Sequence, residues 1–79
     1  MSQAETFNSL VCEVFGIQAD DLADEKTPED LESWTSVTHM QLAAKFEETF
    51  NFQFDVEEIT EMDSIGNMKN VLRRHGVDL

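Results

Sequence analysis

Residues 33–50 read "SWTSVTHMQLAAKFEETF". Hydroxyl side chains crowd round one tryptophan, and an apolar helical pattern follows at once. On a wheel of about 100° per residue, His39, Leu42, Ala43, Phe46 and Phe50 fall together. They form a core-facing stripe and predict a helix over residues 36–50. Val37, Met40 and Ala44 fall on a separate stripe, about a third of a turn away, with Glu47 and Glu48 beside it. A single core needs one stripe. The second has two readings. A neighbouring helix covers it, or it is an apolar patch edged by acid, as a transient protein contact uses. Thr35 is the better N-cap of this helix. Ser36 then takes the first helical position, where its side chain has no structural duty.

The flanking sequence supplies the partners. Phe7, Leu10, Val11, Val14 and Phe15 recur at helical spacing, and Gly16 is a stop signal; Cys12 lies off that stripe. "IQADDLADEKTPEDLES" (17–33) is acidic and aperiodic, a long loop that Ile17, Leu22 and Leu31 can pin to a core. Within it Thr27-Pro28-Glu29-Asp30 reads as a helix start, with room for one short turn. Asp55-Val56-Glu57-Glu58 signals a short third helix. Ser64 opens a last helix carrying Ile65, Met68, Val71 and Leu72 on one face. Arg73, Arg74 and His75 suit its negative end, and Gly76 closes it. "FNFQF" (50–54) alternates, but it is short and has no second strand to pair with, so it reads as a loop whose phenylalanines plug the core. The expected fold is all-α: a small four-helix bundle with a long loop after the first helix and a short third helix.

A chain of 79 residues is one domain. A domain of this size buries about 60–65% of its unfolded surface. Its core is thin, which argues against an enzyme with its own deep active site. The net charge is −12, from 17 acids and 5 bases, and 16 of the acids lie at or before Asp63. Such a surface repels nucleic acid and anionic membranes. It suits either a basic protein partner or solubility alone. One cysteine permits no internal disulfide, and no stretch reads as a signal peptide or membrane span, so a monomer in a reducing cytoplasm is expected.

"TSVTHMQLAAKFEETFNFQF" resembles the acyl carrier proteins and the related peptidyl carriers. Their signature is Asp-Ser-Leu at the start of the second helix and an acidic Leu-Glu-Glu-x-Phe near its end. Here Ser36 takes the serine position, Val37 the leucine, and Phe46-Glu47-Glu48-Thr49-Phe50 the later motif. "VFGIQADDL" and "FDVEEITEMDSIGNMKNVL" extend the resemblance over nearly the whole chain, and a tryptophan such as Trp34 before the motif is common in stand-alone carriers of specialised pathways. The resemblance implies a non-catalytic carrier. A phosphopantetheinyl transferase would join Ser36 to the 4'-phosphopantetheine of coenzyme A, and the terminal thiol would carry acyl groups as thioesters in a fatty-acid, polyketide or other specialised pathway. It also implies that Val37, Met40, Gln41, Ala44, Glu47 and Glu48 meet partner enzymes, among them a ligase, ketosynthase or acyltransferase. A peptidyl or aminoacyl carrier, and an unmodified interaction module of the same fold, are the alternatives.

Two departures stand out. Thr35 replaces the family's usual aspartate, and between Ser36 and Phe50 only Glu47 and Glu48 are acidic, which points to a dedicated partner set. Asp63-Ser64-Ile65 matches the motif more literally. Only fifteen residues follow Ser64, too few for the two helices that should come next. Ser64 is better read as a cap. Asp20, Asp21, Asp24 and Glu25 lack calcium-loop spacing and read as a solvated loop, so no metal is expected. His39 reads as packed in the core and His75 as a partner of the helix dipole.

Overall fold

The structure is a computed structural model that describes residues 2–79. It contains α1 (Gln3–Phe15), α2 (Ser36–Phe50), α3 (Val56–Glu61) and α4 (Ile65–Arg74), with a single 3-10 turn at Ala19–Asp21 and no strand among the described residues. Three helices begin on hydroxyl caps. Ser2 Oγ accepts from the Glu5 amide, Thr35 Oγ1 from Thr38 and Ser64 Oγ from Asn67, at 3.1, 3.2 and 3.0 Å. Each such cap contributes about 1 kcal/mol. α1 ends at Gly16 and α2 at Asn51, with left-handed φ values of 65° and 59°. Only glycine and, less freely, asparagine adopt that conformation at low cost.

The apolar stripes meet as their spacing requires. α1 packs on α2 and α3 on α4. Phe7 stacks on Phe46 with ring centroids 5.4 Å apart, and both are fully buried. Leu42, Met62, Ile65, Met68, Val71 and Leu72 complete the interior. Trp34 joins it from outside any helix, stacked on Phe15 at 5.3 Å. Periodicity has no means of assigning a loop residue to a core.

The long loop is ordered by polar contacts. Its Thr27–Asp30 stretch is a turn and not the expected start of a helix. Asp30 Oδ2 accepts from both the amide and the hydroxyl of Thr27, at 3.0 and 3.2 Å. The Asp30 and Leu31 amides donate to the Thr27 carbonyl at 2.9 and 3.2 Å, so one short turn forms, as its length allowed, and goes no further. Further back, the carbonyls of Asp24 and Lys26 accept from the amides of Gly66 and Ile65, at 2.9 and 3.0 Å. Lys69 Nζ reaches Asp24 Oδ1 at 2.7 Å. A Cβ on Gly66 would lie 3.2 Å from the Asp24 carbonyl oxygen, so a side chain there would press on this contact by a few tenths of an ångström.

The aromatic loop also differs from its expected place. Phe52 and Phe54 are half-buried at the rim of the core and do not plug its centre. Phe52 lies flat against His75, with centroids 4.3 Å apart. His75 is not simply a dipole partner, because its Nε2 sits 2.9 and 3.0 Å from the two carboxylate oxygens of Glu58. Glu58 Oε1 also accepts from the Asp55 amide at 3.0 Å. That backbone bond is the main reason the Glu58 carboxyl titrates below its ordinary range; burial opposes it, and the bond and charge of His75, then the charge of Arg74, add to it.

Two outcomes follow for stability. Phe46→Ala should cost about 3–5 kcal/mol, because the cavity left beside Phe7 cannot collapse fully. Met40→Ala, at an exposed position, should cost about 0.5 kcal/mol or less. Denaturation midpoints of the two variants test the difference. A lowered folded-state value for Glu58 means that its contribution is complete above the unfolded value of about 4.3 and fades as pH falls through the lower folded value. Wild type should therefore exceed Glu58→Gln in stability at neutral pH, and the gap should narrow on acidification. A constant gap across an acid titration of the midpoint would contradict this account.

Candidate functional site

Thr35 leaves the loop in an extended conformation and turns the chain into α2. Its cap is reciprocal. Thr38 Oγ1 accepts from the Thr35 amide at 2.8 Å, while Thr35 Oγ1 accepts from the Thr38 amide. Thr38 Oγ1 also donates to the Ser33 carbonyl at 2.7 Å, which fixes the approach of the loop. A threonine at this third helical position is not the usual glutamate or glutamine of a capping box, so the sequence carries no clear signal for it.

Ser36 then stands on the first turn, exposed, and its hydroxyl makes no hydrogen bond among the described residues. The Thr38 and His39 amides are taken by Thr35, through its hydroxyl and its carbonyl. The Ser36 and Val37 amides have no protein partner among the described residues. An anion attached to the Ser36 oxygen would meet free amides and the positive end of the helix dipole. No acidic side chain occupies that first turn.

The rival serine is placed differently. Ser64 is half-buried and its oxygen accepts from the Asn67 amide. The first two amides of α4, those of Ile65 and Gly66, are filled by the loop carbonyls of Lys26 and Asp24. Nothing remains at that helix start to receive a phosphate.

A groove of about 630 Å³, open to solvent, runs from Ser36 towards α3. Trp34, His39 and Met62 line its base, with Met40, Ile59 and Thr60 beside them. His39 is half-buried and bonded at both ring nitrogens. The Trp34 indole N–H donates to Nδ1 at 2.9 Å, and Nε2 lies 2.8 Å from the Ile59 carbonyl. An indole can only donate and a carbonyl only accept, so His39 is neutral with its proton on Nε2. Ile59 lies in the last turn of α3, where its carbonyl has no helical partner.

The second stripe of α2 is exposed. Val37 is 66% and Met40 53% accessible, and Gln41, Ala44 and Glu48 are also exposed. Glu47 is half-buried, and its Oε2 accepts from the Phe54 amide at 2.8 Å. It braces the loop after α2 as well as lying near the stripe. Val56, at the start of α3, is 81% accessible, an apolar position that the short α3 pattern did not single out.

Other reactive groups are quiet. Burial, then the charge of Asp21, pushes the Cys12 thiol up from its ordinary value, so it stays protonated at neutral pH. Asp24 is paired with Lys69, and no three His, Cys, Asp or Glu side chains among the described residues are grouped to hold a metal ion. No helix among them is long and apolar enough to cross a membrane.

Comparison with known proteins agrees with this geometry. The phosphopantetheine attachment site family matches residues 5–72. A solved structure of a candidate acyl carrier protein from Mycobacterium tuberculosis superposes with a TM-score of 0.81 over 94% of this chain and 99% of that one, at 12% identity. At that identity the likeness speaks for the fold alone. No curated protein matches. Helices in the acyl-carrier arrangement and a family match over most of the length place the chain in the phosphopantetheine attachment family, whose members bear a covalently attached 4'-phosphopantetheine.

Proposed function

We propose that this protein is an acyl carrier whose phosphopantetheine is attached at Ser36. The observation that carries the reading is the contrast between two helix starts. Ser36 is exposed with its hydroxyl unused and adjacent amides free, whereas Ser64 is bonded as a cap above amides already filled. Attachment by a phosphopantetheinyl transferase forms a phosphodiester between Ser36 Oγ and the pantetheine-bearing phosphate of coenzyme A. The phosphoanhydride bond breaks, adenosine 3',5'-bisphosphate leaves, and the serine proton passes to a base of the transferase or to solvent. The arm supplies a thiol, on which an acyl or aminoacyl group travels as a thioester.

Residues of this chain have three tasks in that scheme. The free amides of the first turn of α2 stabilise the phosphate charge. The cap of Thr35 and Thr38 holds the serine at the end of a rigid helix, clear of the loop. Val37, Met40, Gln41 and Ala44, with Glu48 at the edge, offer partner enzymes a small apolar patch with an acidic border. Such a patch suits brief contacts with basic surfaces, as a carrier that visits several enzymes requires. Glu47 contributes its charge to the same border while bracing Phe54. With only these two acids on α2, the partners are a dedicated set: a ligase, ketosynthase or acyltransferase of one specialised pathway in the cytoplasm. The cargo is acyl or aminoacyl.

Incubation with a broad-specificity transferase, Mg²⁺ and coenzyme A should add the mass of one phosphopantetheine. Ser36→Ala should abolish the gain, and Ser64→Ala should keep it. The reverse pattern would move the attachment site to Ser64, and no gain in any form would favour an unmodified interaction module. Thr35→Asp restores the charge that the family resemblance leads one to expect beside the serine. It should speed modification without moving its site. Aspartate also caps helices, so stability should change by less than about 1 kcal/mol. Equal modification rates in a time course would show that threonine serves as well.

A further inference from the structure

The groove beside Ser36 ends on a closed base. His39 reaches from α2 to the Ile59 carbonyl of α3, and Trp34 holds the other side of its ring. The indole and imidazole rings lie 11° from parallel with centroids 6.0 Å apart, so they form one continuous aromatic slab. Leu42 and Ile65, which do not line the groove, are fully buried in the interior. An alkyl chain entering between α2 and α3 from Ser36 has to displace His39. That would strip a carbonyl and an indole N–H of their partners in a half-buried setting. The loss offsets the gain from burying several methylenes.

We propose that His39 is a specificity-determining residue: pinned between Trp34 and Ile59, it bars the interior of the bundle to the cargo. This rests on the reading of Ser36 as the attachment residue. The cargo then stays in the open groove or in solvent. A long alkyl chain left there exposes apolar surface to water, whereas a short or polar group needs no shelter. The chemical class that fits is short or polar acyl and aminoacyl groups, not long fatty acyl chains. Thr60 and Asp63 are the polar residues that line the groove on the side of α3.

The test loads the protein from coenzyme A, hexanoyl-coenzyme A and decanoyl-coenzyme A with a broad-specificity transferase. Intact mass reports loading on its own. Absence of loading on Ser36 would overturn the carrier reading and this one with it. On the loaded proteins, the Leu42 and Ile65 methyl resonances and the denaturation midpoint report whether the chain enters, because neither side chain lines the groove. In wild type these should be the same for the bare, hexanoyl and decanoyl arms. In His39→Ala, the decanoyl arm should shift the Leu42 and Ile65 methyls and raise the midpoint above that of the bare arm. Trp34→Phe keeps an aromatic ring but loses the indole donor, and should show the same change to a smaller extent. A Leu42 or Ile65 shift that grows with chain length in loaded wild type would overturn the barrier while leaving the carrier reading intact. Chain-length independence in both variants would remove His39 from the role.

Discussion

The long loop after α1 is held by the start of α4. Two backbone amides that a helix cannot satisfy internally are met by two backbone carbonyls that an irregular loop cannot satisfy internally. Gly66 permits the approach and Lys69 adds an ion pair to Asp24. From this anchor the chain continues through the Thr27–Asp30 turn to buried Leu31 and Trp34, and so delivers Thr35 and Ser36 to the head of α2. The same bonds remove α4 from consideration as an anion site. One set of contacts therefore builds the loop and fills the first amides of α4, while those of Ser36 and Val37 in α2 have no partner among the described residues.

Around that start the polar groups are arranged economically. Thr35 and Thr38 cap one another, and Thr38 also ties back to Ser33. Trp34 spends its indole N–H on His39, and His39 spends its remaining proton on the end of α3. The neighbouring Thr35 and Thr38 hydroxyls are engaged with one another and with the loop, not with Ser36. A serine kept free by the commitments of its surroundings is available to an enzyme without local unfolding.

α3 is too short to be stable alone. It is tied through two adjacent residues, by His39 to the Ile59 carbonyl and by the contact of Glu58 with His75. Those ties link α2, α3 and the end of α4 through side chains that are not simple apolar packing. The acidic surface adds a second constraint. Of the two acids on the second half of α2, Glu48 is exposed and Glu47 is partly engaged with the Phe54 amide. Electrostatic steering then depends on the summed charge of the domain as well as on individual acids.

Much of the fold was legible in the sequence because its signals are local. Apolar spacing marks α1, α2 and α4, hydroxyl residues mark their starts, and Gly16 marks one end. Thr35 as cap, Ser36 as the unused first residue and the separate stripe of Val37, Met40 and Ala44 depend only on helical geometry, which is set by a few neighbouring residues. What the tertiary structure decided are the contacts between residues distant in the chain. The pairing of Asp24 and Lys26 with α4, the entry of Trp34 into the core, and the bonds of His39 and His75 to α3 have no periodicity to announce them. Thr27–Asp30 forms one closed turn and does not extend into a helix, an outcome that its cap-like start does not foretell. Whether the second stripe of α2 lay buried or exposed was likewise open, since the wheel records angles and not neighbours. Its exposure followed from where α1 and α3 came to pack, and packing is a property of the whole chain.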